Sequence, residues 1–197
     1  MEAKNTAFAI LCGGQSRRMG RDKAFIRLGE ESLLRRLAKV GKGFGERLVS
    51  TDHRLMAKET GFRMVPDIQK DCGPVGAIYS VLAAMKSEAV LTLPCDMPFF
   101  PAALAREMLS AMPDTAKALM LTGRSGRAYP LCAVFRKSCL PTVKEHVETG
   151  KLKAVPMMEV LGAVHMTLPE KFSEKVLMNL NTPEDLEAVQ SVLRERG

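Results

Sequence analysis

The run Thr6-Ala-Phe-Ala-Ile-Leu11 leads, through Cys12, directly into Gly13-Gly14, and this junction narrows the range of folds more than any other stretch. An apolar run this short is far below the roughly 20 residues that cross a bilayer. A glycine pair leaving it predicts a strand whose backbone turns tightly and presents bare N–H groups. Four cations, Arg17, Arg18, Arg21 and Lys23, crowd into the following positions. Backbone amides and cations together suit a polyphosphate. The bland alternative is a glycine turn with a solvated cationic face. A Walker A loop is excluded, because Arg21-Asp22 follows Gly20 where Lys and Ser/Thr are required, and the spacing is not GxGxxG either.

Apolar runs then alternate with helix-period segments, the pattern of a βαβ protein with a mainly parallel sheet. Strands are expected over Thr6–Leu11, Glu46–Ser50, Phe62–Val65, Ala89–Leu93, Ala116–Leu121, Leu131–Phe135 and Ala163–Leu168. Helices are expected over Ser32–Val40, Arg54–Thr60, Val75–Met85, Ala102–Met112, Lys137–Glu148, Val155–Val160 and Pro183 to Arg194. The last has the best-marked start, with Thr182 as N-cap, Pro183 in the first turn and Asp185 at the third position. The expected class is α/β, a three-layer α/β/α sandwich on a mainly parallel, mixed sheet. No repeat or linker divides residues 1–197, so one domain is expected.

Charge and composition prune the functions. The formal charge of +7 calls for an anionic partner. With no Trp, two Tyr and eight Phe, the chain lacks the aromatic-basic alternation that stacks single-stranded bases, so a small anion is favoured over nucleic acid. Five dispersed cysteines, Cys12, Cys72, Cys95, Cys132 and Cys139, contain no CxxC pair, which argues against a disulfide framework or zinc site. With no membrane segment or signal peptide legible, the expected location is the cytoplasm. His53, His146 and His165 form no i, i+4 pair or nucleophilic triad, and the 13 methionines read as core filler.

Ligands of open α/β sheets sit beyond the carboxyl ends of the strands. Besides the glycine turn, two such places stand out. Asp96, in Leu93-Pro-Cys-Asp-Met-Pro98, is a carboxylate between prolines at a strand end, read either as a helix-capping Asp or as a ligand for a metal-bound nucleotide. Asp67 precedes a loop ending in Gly73-Pro-Val-Gly76. It reads either as part of an ordinary Gly-Pro turn or as a base-side carboxylate able to accept from the N1–H and amine of guanine.

These motifs together resemble a known family. Leu11-Cys-Gly-Gly-Gln-Ser-Arg-Arg-Met-Gly-Arg-Asp-Lys23 resembles the signature LxGGxSxRMGxDK of the molybdenum cofactor guanylyltransferases, within the nucleotidyltransferases of the glycosyltransferase-A type. Asp67 with Gly73–Gly76, Leu93–Pro98, Tyr129-Pro-Leu131 and Asn179-Leu-Asn-Thr-Pro-Glu-Asp185 are similar, in order, to its D…GPLxG, PCDMP, hPL and NxNTPED elements. The resemblance implies a Rossmann-like nucleotidyltransferase fold and transfer of GMP from Mg-GTP to the terminal phosphate of molybdenum-molybdopterin. It implies Leu11, Cys12, Gly13, Gly14, Lys23, Asp52, Asp67, Gly76 and Asp96 as the GTP site, with Asp96 binding Mg²⁺. Lys23 and Arg17 would act with Asp96 in catalysis, and Asn179 and Asn181 would contact the molybdopterin. Arg124, Arg127, Lys151 and Lys153 are candidates for the pterin phosphate or ordinary surface charge. Molybdoenzyme-maturation proteins would be the downstream partners. The chain departs from the pattern at Cys12, where alanine is usual, at Val75 for Leu, and at Ser50-Thr-Asp-His53, which lacks the base-facing Asn and offers Asp52 instead. The rival readings are a cytidylyltransferase of the same fold and a non-catalytic GTP-binding protein.

Overall fold

A computed structural model describes residues 1–12 and 25–194. Gly13, Gly14, Arg17, Arg18, Arg21, Asp22 and Lys23 lie outside the described residues. β1 (Ala7–Leu11) is fully buried, and its side chains alternate between two cores. Phe8 and Ile10 face one, where Phe8 packs on Phe44 and Phe62 at centroid distances of 5.2 and 6.1 Å. Ala7, Ala9 and Leu11 face the other. Alternation with both faces apolar is what a central strand covered by helices on each side requires.

After a short hairpin of β2 (Arg27–Leu28) and β3 (Glu31–Ser32) come α1 (Leu33–Val40), β4 (Glu46–Ser50), α2 (Arg54–Thr60) and β5 (Arg63–Val65). Ser32 starts α1 as a side-chain N-cap, its hydroxyl accepting from the Arg35 amide at 3.2 Å. α3 (Gly73–Ala84) leads to β6 (Ala89–Pro94), α4 (Ala102–Ala111), β7 (Ala118–Thr122) and β8 (Ala128–Arg136). The chain closes with α5 (Leu140–Glu148), α6 (Ala154–Val160), β9 (Val164–Thr167) and α7 (Pro183–Arg194).

Among the described residues the main sheet has seven strands in the order β5-β4-β1-β6-β8-β7-β9. Only β8 opposes its neighbours, running antiparallel to β6 and β7, while the remaining pairs are parallel. α1, α4 and α7 supply Leu33, Leu37, Leu104, Met108 and Val189 to one core; α3, α5 and α6 supply Ile78, Val81, Leu82, Val143 and Met157 to the other. This is the expected three-layer α/β/α arrangement on a mixed, mainly parallel sheet. Among the described residues no helix is long and apolar enough to cross a membrane.

The expected elements are all present with shifted bounds: α5 starts at Leu140 rather than Lys137, after a short 3-10 turn over Lys137–Cys139, and β7 runs Ala118–Thr122 rather than Ala116–Leu121. Two further shifts are instructive. α3 begins at Gly73, two residues before the expected Val75, because Pro74 is pre-set for a first helical turn. β8 begins at Ala128 rather than Leu131, since the proline that disguises it sits in a bulge.

Candidate active site

From β1 the chain steps outward through β4 to β5, then returns to the other flank of β1 as β6. The reversal opens a crevice beyond the carboxyl ends of β1 and β6, the place where doubly wound sheets bind ligands. Leu11 and Cys12 end β1 there: the Cys12 amide donates to the Ser50 carbonyl at 3.0 Å, and the Leu11 carbonyl accepts from the Cys95 amide at 3.0 Å. Three strand ends are thereby tied together.

On the β4–β5 side the sequence-predicted carboxylates meet. Asp67 Oδ1 accepts from the Ser50 hydroxyl at 3.4 Å. Burial pushes the Asp67 carboxyl above the usual aspartate range and the nearby Asp52 charge adds to this, while Lys70 and the Ser50 hydroxyl pull it back. Lys70 forms an ion pair with Asp52, joining the loops after β4 and β5. The loop beyond Asp67 is held by Ser80, whose hydroxyl accepts the Ile68 amide at 3.0 Å and donates to the Gly76 carbonyl at 2.8 Å. Gly76 is buried in the first turn of α3, where a Cβ would stand 2.6 Å from that of Cys72. The glycine is therefore demanded by the loop folding back on its own helix.

On the β6 side Asp96 follows the strand end, and the 179–182 segment crosses above it. The Leu180 amide donates to the Asp96 carbonyl at 2.7 Å, and Leu180 is wholly buried as an anchor. Asn179 Nδ2 donates to Asp96 Oδ2 at 3.5 Å, so residues 83 positions apart in sequence converge. The Asn179 Oδ1 is buried and has no hydrogen-bond partner among the described residues. The segment is set by α7, whose start is a capping box: the Asp185 amide donates to Thr182 Oγ1 at 3.1 Å, and Asp185 Oδ2 accepts from the Asn181 and Thr182 amides, both at 2.8 Å.

Among the described residues no three His, Cys, Asp or Glu side chains cluster as a metal cage. One carboxylate, Asp96, and one orphaned amide oxygen, Asn179 Oδ1, are hard donors that leave most of a coordination shell to substrate and water. That donor set fits a divalent cation delivered with phosphates, as Mg²⁺ is held.

Among the described residues Asp96 lines one cavity, and a second adjoins that cavity. The first, about 270 Å³, is lined by Asp96, Pro74, Tyr129, Leu131, Ala154 and Asn179 among others. It exists because of the Tyr129-Pro-Leu segment. β7 residues Met120 and Leu121 pair with Ala133 and Tyr129, so residues 130–132 bulge out of the ladder. Pro130 has no N–H to lose there. The Thr92 hydroxyl satisfies the Leu131 carbonyl at 2.8 Å. The second cavity, about 360 Å³, shares Arg127, Tyr129 and Asn179 with the first and adds Glu174, Asn181 and Asp185.

Of the four cations weighed for this side, Arg127 lines both cavities with its guanidinium stacked on Tyr129, 5.3 Å from the ring centroid. Arg124 is committed elsewhere: its Nη2 donates to the Pro169, Glu170 and Phe172 carbonyls, strapping the β7–β8 turn to residues 169–172. Lys151 and Lys153 are exposed and line neither cavity. Ser50, Lys70, Ser80 and Thr92 were not singled out by sequence reasoning. A serine in the otherwise apolar α3 and a threonine in the buried β6 were the available signals.

The arrangement sets a crevice at the carboxyl ends of the strands beside two adjoining cavities. A family model described as a MobA-like NTP transferase domain matches residues 8–164. The chain belongs to that family. MobA-like transferases are nucleotidyltransferases, and so is this chain. Relatives named "Probable molybdenum cofactor guanylyltransferase" include a Pelotomaculum thermopropionicum protein, 34% identical over 90% of this chain and 88% of its own. Another, from Carboxydothermus hydrogenoformans, is 30% identical over 96% and 97%. Molybdopterin-guanine dinucleotide biosynthesis protein A from Archaeoglobus fulgidus has the same fold, with a TM-score of 0.82 at 20% identity over 96% of this chain and 99% of that one. So does 4-diphosphocytidyl-2C-methyl-D-erythritol synthase from Anaerococcus prevotii, with a TM-score of 0.70 at 15% identity over 96% of each chain.

Proposed function

We propose that this MobA-like transferase moves GMP from Mg-GTP to the terminal phosphate of molybdenum-molybdopterin, releasing pyrophosphate, with residues 1–197 as one catalytic unit. The names of its relatives support the substrate pair. The observation that carries the reading is the Asn179–Asp96 contact, which joins the strand end of β6 to the segment lining the second cavity.

The acceptor phosphate oxygen is ionised at neutral pH, so no protein nucleophile or general base is needed. It forms a bond to the α-phosphorus of GTP, and the bond from that phosphorus to the bridging oxygen breaks as pyrophosphate leaves. Catalysis is then alignment and charge neutralisation. Leu11 and Cys12, with Gly13 and Gly14, present backbone to the nucleotide. Asp67 accepts from the guanine N1–H and amine. Asp52, tethered by Lys70, closes the base side, and Gly76 keeps the loop below it in place. Asp96 and Asn179 would hold Mg²⁺, which when bound polarises the α-phosphate and offsets its charge. Lys23 and Arg17 neutralise the departing pyrophosphate, and Asn179 and Asn181 border the acceptor.

Incubation with Mg²⁺, molybdopterin and each labelled nucleoside triphosphate tests this. Guanylylated product with GTP alone is expected; pyrophosphate release with CTP in its place would replace guanylyl by cytidylyl transfer. GTP binding without turnover would make the chain a nucleotide carrier.

A further inference from the structure

The two cavities that share Arg127, Tyr129 and Asn179 differ in charge. The first holds Asp96 among mainly apolar walls, while the second carries the carboxylates of Glu174 and Asp185. Asp185 is committed to the α7 cap through the Asn181 and Thr182 amides. Glu174 is not so committed: Oε1 accepts the Arg124 amide at 2.9 Å, and Oε2 has no hydrogen-bond partner among the described residues. Arg127, at the shared wall, uses its backbone carbonyl to accept the Gly123 amide at 2.8 Å, while its guanidinium sits over the Tyr129 ring.

An acceptor that is phosphate at one end and a flat heterocycle at the other has one favourable way to lie across this surface. Its phosphate is repelled by the two carboxylates Glu174 and Asp185 and attracted by Arg127, so it points to the other cavity, whose single carboxylate, Asp96, is the one proposed to hold a cation. Its ring is left over the second cavity, where Tyr129 offers an aromatic surface. A 2-amino-4-oxopteridine carries two adjacent donors, the N3–H and the 2-amino group, and a carboxylate is the side chain that accepts both. Resting on the acceptor class proposed above, we infer that Glu174 is the specificity-determining residue for the pterin, reading its 2-amino edge in the cavity beside Tyr129 while Arg127 takes the phosphate end.

The test uses the full chain and the intrinsic fluorescence of a pteridine. Neopterin monophosphate is titrated against the lumazine bearing the same phosphorylated side chain, in which the 2-amino donor is replaced by an oxygen acceptor. Wild type is expected to favour the pterin by at least about 10-fold, because the lumazine sets an acceptor against a carboxylate. Glu174→Gln retains an oxygen for the Arg124 amide but offers an amide donor, so the preference should collapse towards equality. A circular-dichroism melt checks that this variant is folded. Tyr129→Leu should weaken both ligands alike. An unchanged pterin preference in Glu174→Gln, or none in wild type, overturns the inference. A switch from GTP to CTP in the transfer assay with the pterin preference intact would instead remove only the guanylyl reading.

Discussion

On the β4–β5 side of β1 every strand runs parallel, and the site there consists of strand-end backbone, two carboxylates and the lysine that tethers them. On the β6–β8 side one strand is reversed and bulged, and the ligand surface is made of side chains from β6, β8 and the segment before α7. In the proposed reaction the first half meets the nucleotide and the second the acceptor. The second holds two adjoining cavities, the first of them beside a proline-containing bulge that withdraws three residues from the ladder. In the proposed reaction the halves touch at Asp96, and substitutions can separate one half from the other.

The largest effect is expected at the junction. Asp96→Ala removes the carboxylate proposed to carry the metal, and should cost about 3–4 kcal/mol in barrier, a hundredfold to thousandfold in kcat. GTP binding, followed by equilibrium dialysis, should fall far less. Undiminished turnover would remove Asp96 as the metal ligand and place the junction elsewhere.

Next comes the nucleotide half alone. Asp67→Asn retains one acceptor but turns the other into a donor, so kcat/KM for GTP should fall on the order of 10–100-fold with the acceptor KM unchanged. Stability should move the other way. Burial raises the folded-state pKa of Asp67, so its contribution to stability is present below the unfolded pKa and is lost as pH rises through the folded one. At neutral pH the charged side chain is a liability, and Asp67→Asn should melt higher than wild type. The gap should close as pH falls below the aspartate range. Thermal scans across pH check the sign.

How legible each half was in the sequence follows from how it is built. The parallel half announces itself, since buried strands are continuous apolar runs and their ends are marked by Gly, Asp and Pro; Asp67 and Asp96 both stand where that reading put them. The acceptor half was half visible. Thr182, Pro183 and Asp185 were readable as a helix start, because capping is local chemistry. The early start of β8 was not, because Pro130 in a strand interior argues against a strand unless the bulge is known. Nor was the fate of Arg124, whose three carbonyl partners lie 45 to 48 residues away. Long-range polar contacts such as Asn179–Asp96 leave no periodic trace, and only the family resemblance brought Asn179 forward.

A smaller effect should separate the acceptor half. Thr182→Ala removes the hydroxyl that caps α7, costing about 1 kcal/mol of stability. The same cap sets the approach of Asn179 to Asp96, so the acceptor KM should rise while the GTP KM stays near wild type. Equal changes in both would mean that α7 steadies the whole edge rather than one half.

The smallest expected effect tests whether the nucleotide half is tuned from outside its contacts. Lys70 touches Asp52, and its charge lowers the Asp67 pKa while that of Asp52 raises it. In Lys70→Ala both influences turn unfavourable to the carboxylate: the lysine charge is gone and the Asp52 charge is left unmatched. Asp67 should then hold its proton to higher pH. The proposed guanine contact of Asp67 uses the ionised form, so the acid limb of the kcat/KM profile for GTP should move to higher pH, with little change on the plateau. Because Lys70 and Asp52 are both exposed and solvent screens them, the shift should shrink in high salt. A plateau loss with an unmoved acid limb would mean that Lys70 meets the nucleotide itself, and that this half is built by direct contacts alone.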